Sequence, residues 1–341
     1  MKVLVTGACG FLGSHICELF KELNWEVIGL DNLTYFEMRR SGYNRKARYY
    51  NYNLLKKMDI DILVEDLLNC HKLQSIEADY IVHTAAQPTM TLSISNPRYD
   101  LMNNVIGTFN ILELARKLDI PVSICSSIHV FGNKINNTLK EEGTRFKCSP
   151  ESIDESEKVL QGDISPLHAS KMSSEIYGQC FIDTYGLKVG IMRLSGMYGP
   201  RQFAGMHHGW VSNIILRILK DLPVYIFGSD KQVRDILYCK DAAKVFLSFY
   251  NYQVPGLYII GGGKECIFSI RDLIDFVSKL SGKKPEIILK ERRFGDLYYF
   301  VSNIDKARTY LKWSPDVLPQ EGIENTFRWI KENIKLFEGI K

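Results

Sequence analysis

The chain alternates short apolar runs with amphipathic stretches. Met1 to Thr6 reads as a strand, and after Gly7 to Gly10 the residues Leu12, Ile16, Leu19, Phe20 and Leu23 recur at helical spacing. Further strands are predicted at Glu26 to Leu30, Ile60 to Val64, Tyr80 to His83, Val122 to Ser126 and Lys188 to Met192, with helical patterns over Leu101 to Leu118 and Leu167 to Tyr185. This rhythm predicts an α/β chain built on a doubly wound (Rossmann) parallel sheet, with ligands lying across the carboxyl ends of its strands. After Gly199-Pro200 the rhythm loosens into shorter elements, including Val224 to Phe227, Leu257 to Ile260 and Glu286 to Leu289. Ile323, Phe327, Ile330 and Ile334 share one helical face and should dock. The division expected is a Rossmann domain over 1–186 and 229–256, with a smaller C-terminal substrate lobe over 187–228 and 257–341.

Composition narrows the class. With 341 residues, 45% hydrophobic and 24% charged, the chain can fill two lobes of core, and a formal charge of +4 argues against nucleic acid as a partner. The basic stretch from Arg39 and Arg40 to Arg45, Lys46 and Arg48 reads as a solvated loop, with the adenosine end of a cofactor or an oligomer face as the other places for it. Eight cysteines lack paired spacing, so reduced thiols are expected and a structural metal is not. No apolar run is long enough to span a bilayer and no signal peptide precedes the first strand, which implies no membrane partner and a cytoplasmic location. Internal repeats are absent.

The glycine-rich turn carries the first chemical reading. Gly7 permits a tight turn, Gly10 lets backbone N–H groups approach a pyrophosphate, and Gly13 lets the helix pack close to the sheet. Asp31 ends the second strand, where a carboxylate accepts hydrogen bonds from ribose hydroxyls and repels a 2′-phosphate, so NAD is the expected cofactor.

With these elements placed, the sequence resembles the extended short-chain dehydrogenase/reductase family of nucleotide-sugar enzymes, and within it the CDP-tyvelose and CDP-paratose 2-epimerases. The likeness rests on Thr6 to Gly13, Asp31-Asn32-Leu33, Ala85-Ala86-Gln87-Pro88, Asn104 to Thr108, Met197 to Phe203, Gly209-Trp210-Val211, Lys231 to Asp235 and Arg293 to Asp296. The resemblance implies that Gly7, Gly10, Phe11, Leu12, Gly13, Asp31, Asn32, Asp66, Leu67, Ala85, Ala86, Gln87, Asn104 and Lys171 contact the cofactor. It implies also that Arg201, Gln232, Arg234 and Arg293 hold a nucleotide-diphosphate sugar, the guanidinium fork suiting phosphate oxygens. Surface salt bridges to Asp235 and Asp296 are the alternative role for the arginines.

In Ser126-Ser127-Ile128-His129 the resemblance makes Ser127 the hydroxyl that bonds the sugar oxygen being oxidised. Dehydratases of the family follow it with Asp-Glu, and Ile128-His129 disfavour simple 4,6-dehydration. Ser165 to Lys171 departs from the family: Lys171 keeps its place, but Leu167 stands where a tyrosine is expected, and an alkyl group neither takes nor gives a proton. The readings that follow are an NAD-dependent epimerase, plausibly a CDP-sugar epimerase oxidising and re-reducing C2 with His129 as proton shuttle; a dehydrogenase, reductase or dehydratase; and a cofactor- and sugar-binding protein without turnover. His168 is a second candidate shuttle, with a buried or surface ring the plainer account of it, and Tyr198 is a nearby phenol assigned to packing and cofactor contact. Apolar faces on the helices Leu101 to Leu118 and Leu167 to Tyr185 suggest a homodimer or homotetramer.

Overall fold

The computed structural model describes residues 1–340. Seven strands form one sheet: β1 (Lys2–Thr6), β2 (Glu26–Asp31), β3 (Asp61–Val64), β4 (Tyr80–His83), β5 (Val122–Ser127), β6 (Val189–Leu194) and β7 (Gly256–Ile260). Their order is β7-β6-β5-β4-β1-β2-β3, every neighbouring pair parallel. The strand period of two sends alternate side chains to opposite cores. Val3 and Val5 join Ile16, Phe20, Phe246 and Phe249 on one face, while Leu4 joins Ile111, Leu112, Phe181 and Ile191 on the other. Helix α1 (Phe11–Glu22) covers the first face, and α3 (Gly107–Leu118) and α4 (Pro166–Tyr185) cover the second, with α2 (Arg45–Lys57) entering between β2 and β3. The fold is therefore the doubly wound Rossmann sheet. Its order reverses between β1 and β4, which opens a crevice at their carboxyl ends.

Three elements differ from the sequence expectation. The segment expected to be a loop carries two helices, Phe36–Arg40 and α2, and Arg48 on α2 is buried against Asp31. The single helix expected from Leu101 to Leu118 is interrupted by a π turn, Met102–Ile106. The lobes also divide differently. β6 and β7 lie in the large sheet although most of their residues were expected in the substrate lobe. Val233–Tyr238, expected with the Rossmann part, is the centre of the small sheet, flanked by Ile267–Ser269 and Tyr299–Phe300 and paired further along with Gly196–Tyr198. Chain-order boundaries fail here because the chain crosses between lobes several times.

The small lobe has its own core. Ile214, Ile215 and Ile218 of the helix Trp210–Leu219 pack with Val224, Ile226, Leu273, Ile323, Phe327 and Ile330, so the C-terminal helix Pro319–Glu332 docks. Tyr198 is fully buried there and has no access to the crevice.

An ion pair fixes α4 to the sheet. The Arg193 guanidinium grips Glu175 with Nε at 2.9 Å and Nη2 at 2.7 Å, both side chains 4% exposed, and the Ser126 hydroxyl donates to the same carboxylate at 2.5 Å. Removing one member leaves the other charge buried and unpaired. Arg193→Met should therefore cost about 3 kcal/mol, measured by urea unfolding, and the double change with Glu175→Leu should recover part of that loss.

Candidate functional site

At the carboxyl ends of β1, β4 and β5 lies a cleft of about 870 Å³. Its floor is the turn from β1 into α1. Gly7 has φ +67°, and a Cβ there would sit 2.7 Å from the Ala85 nitrogen; one on Gly13 would sit 2.2 Å from the Gly7 carbonyl oxygen. Backbone meets backbone at both points, so neither tolerates a side chain. The N-cap of α1 is Gly10, which has no side chain to satisfy the first-turn N–H groups. Those orphan donors and the positive helix end form a cradle for a pyrophosphate. From behind, Asn51 Nδ2 of α2 donates to the Cys9 and Gly10 carbonyls at 3.3 and 3.2 Å. Sequence reasoning missed Asn51 because it sits among the tyrosines and basic residues of a segment read as a loop.

Of the residues expected at the cofactor, Gly7, Gly10, Phe11, Leu12, Gly13, Asp31, Asn32, Asp66, Leu67, Ala85, Ala86, Gln87 and Lys171 line the cleft. Asn104 does not. It is 1% exposed, and its amide clasps the Gln87 backbone, Oδ1 accepting from N–H at 2.8 Å and Nδ2 donating to the carbonyl at 3.0 Å. Its part is to hold the Ala85 to Gln87 loop in place. Asp31 differs too: its carboxylate accepts from Arg48 at 2.6 Å, so it is not the lone anion that the sequence suggested.

Ser127, His129, Leu167 and Lys171 all border the cleft. Leu167 and Lys171 share a helical face four residues apart, and both border the cleft. Lys171 Nζ donates to the Cys125 carbonyl at 3.0 Å, and burial lowers its pKa. Ser127 Oγ accepts from the His129 N–H at 3.2 Å, which leaves its own proton to donate. Burial lowers the His129 imidazole to about 4; Asp296 pulls it upward and His168 and Arg234 push it down. Its Nδ1 is buried without a partner. His168 lies edge-on to it, centroids 6.0 Å apart. The His168 Nδ1 accepts from the Ser165 N–H at 3.1 Å, so its neutral ring carries the proton on Nε2, which is also buried without a partner. His168 is thus engaged in capping α4, away from the cleft surface.

The remaining wall comes from the small lobe. Strand alternation on Val233–Tyr238 aims Arg234 at the cleft, while Asp235 points away, fully buried, its carboxyl raised to about 6 by desolvation. Arg234 donates to the Val233 and Leu297 carbonyls and faces Asp296 at 3.4 Å. Arg293 stacks over Phe227 with its guanidinium carbon 3.7 Å from the ring centroid and donates to the Met206 carbonyl at 2.6 Å, leaving Nε buried and unpartnered. Gln232 completes this wall, its Nε2 donating to the Phe227 carbonyl at 2.5 Å. Arg201 does not belong with them. Arg201 borders the cleft, but its guanidinium is engaged by Glu18 at 2.6 Å and by His15 of α1.

A crevice with a bare helix N-terminus, a ribose-end carboxylate and a buried lysine defines a dinucleotide-binding protein with room for a second, anionic ligand. Residues 3–261 match the model of the NAD dependent epimerase/dehydratase family, and the chain belongs to that family. It is 33% identical over 331 residues, 97% of this chain and 99% of the relative, to a Methanocaldococcus jannaschii protein provisionally named UDP-glucose 4-epimerase. It is 30% identical over 350 residues to CDP-paratose 2-epimerase of Salmonella typhi, covering 96% and 99% of the two chains. Among solved structures it is similar to UDP-glucuronic acid 4-epimerase from Bacillus cereus in complex with UDP-glucuronic acid and NAD, with TM-score 0.81, 27% identity and 98% and 100% coverage. NAD is the cofactor of the family, and the glycine cradle fits it. No described helix is long and apolar enough to cross a membrane, and the described residues contain no cluster of three or more His, Cys, Asp or Glu side chains placed to hold a metal ion.

Because a Cβ on Gly13 would collide with backbone, Gly13→Ala should weaken NAD binding at least about tenfold, or about 1.4 kcal/mol. Calorimetric titration checks this, with circular dichroism to verify the fold.

Proposed function

We propose that this protein is an NAD-dependent epimerase of a pyrimidine nucleoside diphosphate sugar in which His129 replaces the missing tyrosine as proton shuttle. The observation that carries this reading is that Ser127, His129 and Lys171 border the same cleft as Gln232, Arg234 and Arg293. When bound, NAD would supply reversible hydride acceptance at a ring carbon of the sugar. Gly7, Gly10 and the first turn of α1 hold its pyrophosphate, and Lys171 holds the nicotinamide ribose. Arg234 and Arg293, which border the cleft, take the substrate diphosphate. The Ser127 hydroxyl hydrogen-bonds the sugar oxygen and keeps its proton. His129, neutral above about pH 4, accepts the hydroxyl proton as the ketone forms and returns it after the sugar has turned over. CDP as the nucleotide and C2 as the reacting carbon, the expectation from sequence, are supported by the likeness to CDP-paratose 2-epimerase.

Leu167, 3% exposed and without a group that can carry a proton, favours one other reading, a nucleotide-sugar binder with bound NAD and no turnover. Incubation with CDP- and UDP-sugars in deuterated water, followed by NMR, decides between them. Epimer without ring deuterium supports hydride return; no product from any sugar, with NAD bound, supports the binder.

The exposed rings and side chains of Phe109 on α3 and Ile176, Tyr177 and Tyr185 on α4 support a dimer built through these helices. Ile176→Lys with Tyr177→Lys should then yield monomers by light scattering.

For the shuttle, His129→Ala should lower kcat on the order of a hundredfold with NAD still bound. The acidic limb gives an independent measure. The accepting form of His129 predominates above its lowered pKa and is lost as pH falls through it, so kcat should hold down to about pH 5 and fall near 4. A limb near 6.5, the range of a solvated imidazole, would remove His129 from this role.

A further inference from the structure

Lys171 poses a problem of charge. It is 9% exposed, and its ammonium donates to a neutral group, the Cys125 carbonyl. An ammonium taken out of water needs an anion near it. The titratable groups around it are the Cys125 thiol on β5, His83 on β4, Glu175 on its own helix and Asp100 on the short helix Pro97–Leu101. Burial pushes the thiol up to about 12 and the imidazole down to about 3, so both are neutral near neutral pH. Glu175 is matched already by the guanidinium of Arg193. That leaves Asp100.

Asp100 is 1% exposed, and the donors on its Oδ1 are uncharged: Gln87 Nε2 at 2.8 Å and Asn104 Nδ2 at 3.0 Å. The same Asn104 Nδ2 lies 3.1 Å from the Ser170 hydroxyl oxygen, one residue before Lys171. One amide thus joins the carboxylate to the turn of α4 that carries the ammonium. Burial raises the Asp100 carboxyl, and Ser170, Gln87 and the Lys171 charge oppose the rise. Burial lowers Lys171, opposed by Cys125 once its thiol ionises, by Asp100 and by Glu175. The two charges support each other across the α4 turn.

We propose that Asp100 is the counter-charge of Lys171, a positioning residue that keeps the ammonium charged in the cleft without touching the ligand. The effect on cofactor binding rests on the reading of Lys171 as the holder of the nicotinamide ribose; the pairing itself does not.

Asp100→Asn separates charge from bracing, because asparagine keeps the Oδ1 acceptor for Gln87 and Asn104 and removes the negative charge. In the full chain labelled with 13Cε-lysine, with Lys171→Arg to assign the signal, NMR titration should place the Lys171 midpoint at least about one pH unit lower in the variant, a tenfold change in its ionisation constant. The charged form predominates below the midpoint and is lost as pH rises through it. Calorimetric titration of NAD+ into nucleotide-free protein should therefore show affinity falling at lower pH in Asp100→Asn than in the wild type. A residue that only braces the Gln87 loop leaves the Lys171 midpoint in place, and that result in a folded variant overturns the proposal. If Asp100→Asn does not fold, Lys171→Met decides: loss of the ammonium should raise the Asp100 carboxyl midpoint, followed by 13Cγ-aspartate NMR, and an unmoved midpoint overturns the pairing. A shifted Lys171 midpoint in a protein that binds no NAD+ upholds the pairing and removes the cofactor reading.

Discussion

The structure depends on one close approach, the backbone of the β1–α1 turn pressed against itself and against the end of β4. Gly13 lies over the Gly7 carbonyl and Gly7 over the Ala85 nitrogen, with no space for a methyl group at either point. That contact sets how far α1 stands from the sheet and aims its uncapped end into the cleft. Everything at the cofactor side is referred to it. Asn51 braces the turn from α2, Asn104 holds the facing loop, and Cys9 N–H fixes the carboxylate of Asp31.

At the sugar end the governing effect is desolvation. Lys171, His129, His168, Arg234 and Arg293 are all shifted away from their charged forms chiefly by burial. Burial of this kind raises the cost of each positive charge, a cost that an anion bound beside it would offset. Leu167, an alkyl side chain beside Lys171, adds no proton donor or acceptor to this setting.

Most of the large sheet was legible in the sequence because its strands are buried apolar runs and its helices are strongly periodic. The first five strands and the glycine cradle lie where the pattern predicts. Legibility failed wherever a long-range contact overrode a local signal. Arg48 belongs to a basic, tyrosine-rich stretch and is buried only because Asp31 waits 17 residues earlier in the chain. Arg201 carries the composition of a phosphate ligand, yet Glu18 and His15 of a distant helix claim it. Asn104 shares a motif with cofactor-contacting loops but acts through Gln87. Lobe boundaries were hidden for a related reason, since β6 and β7 complete the large sheet after the chain has begun to build the small one.

The π turn at Met102–Ile106 has a consequence for how this chain can change. A π turn holds one residue more than an α turn, so everything after it is rotated by a residue relative to the helix before it. Here that surplus residue lets Asn104 reach Gln87, Asp100 and Ser170 together, while Gly107–Leu118 still presents Ile111, Leu112 and Ala115 to the sheet. Deleting one residue would straighten the backbone and break the register between clamp and core at once. The segment can thus exchange side chains but cannot shorten, and its length, more than its composition, is what the cleft inherits.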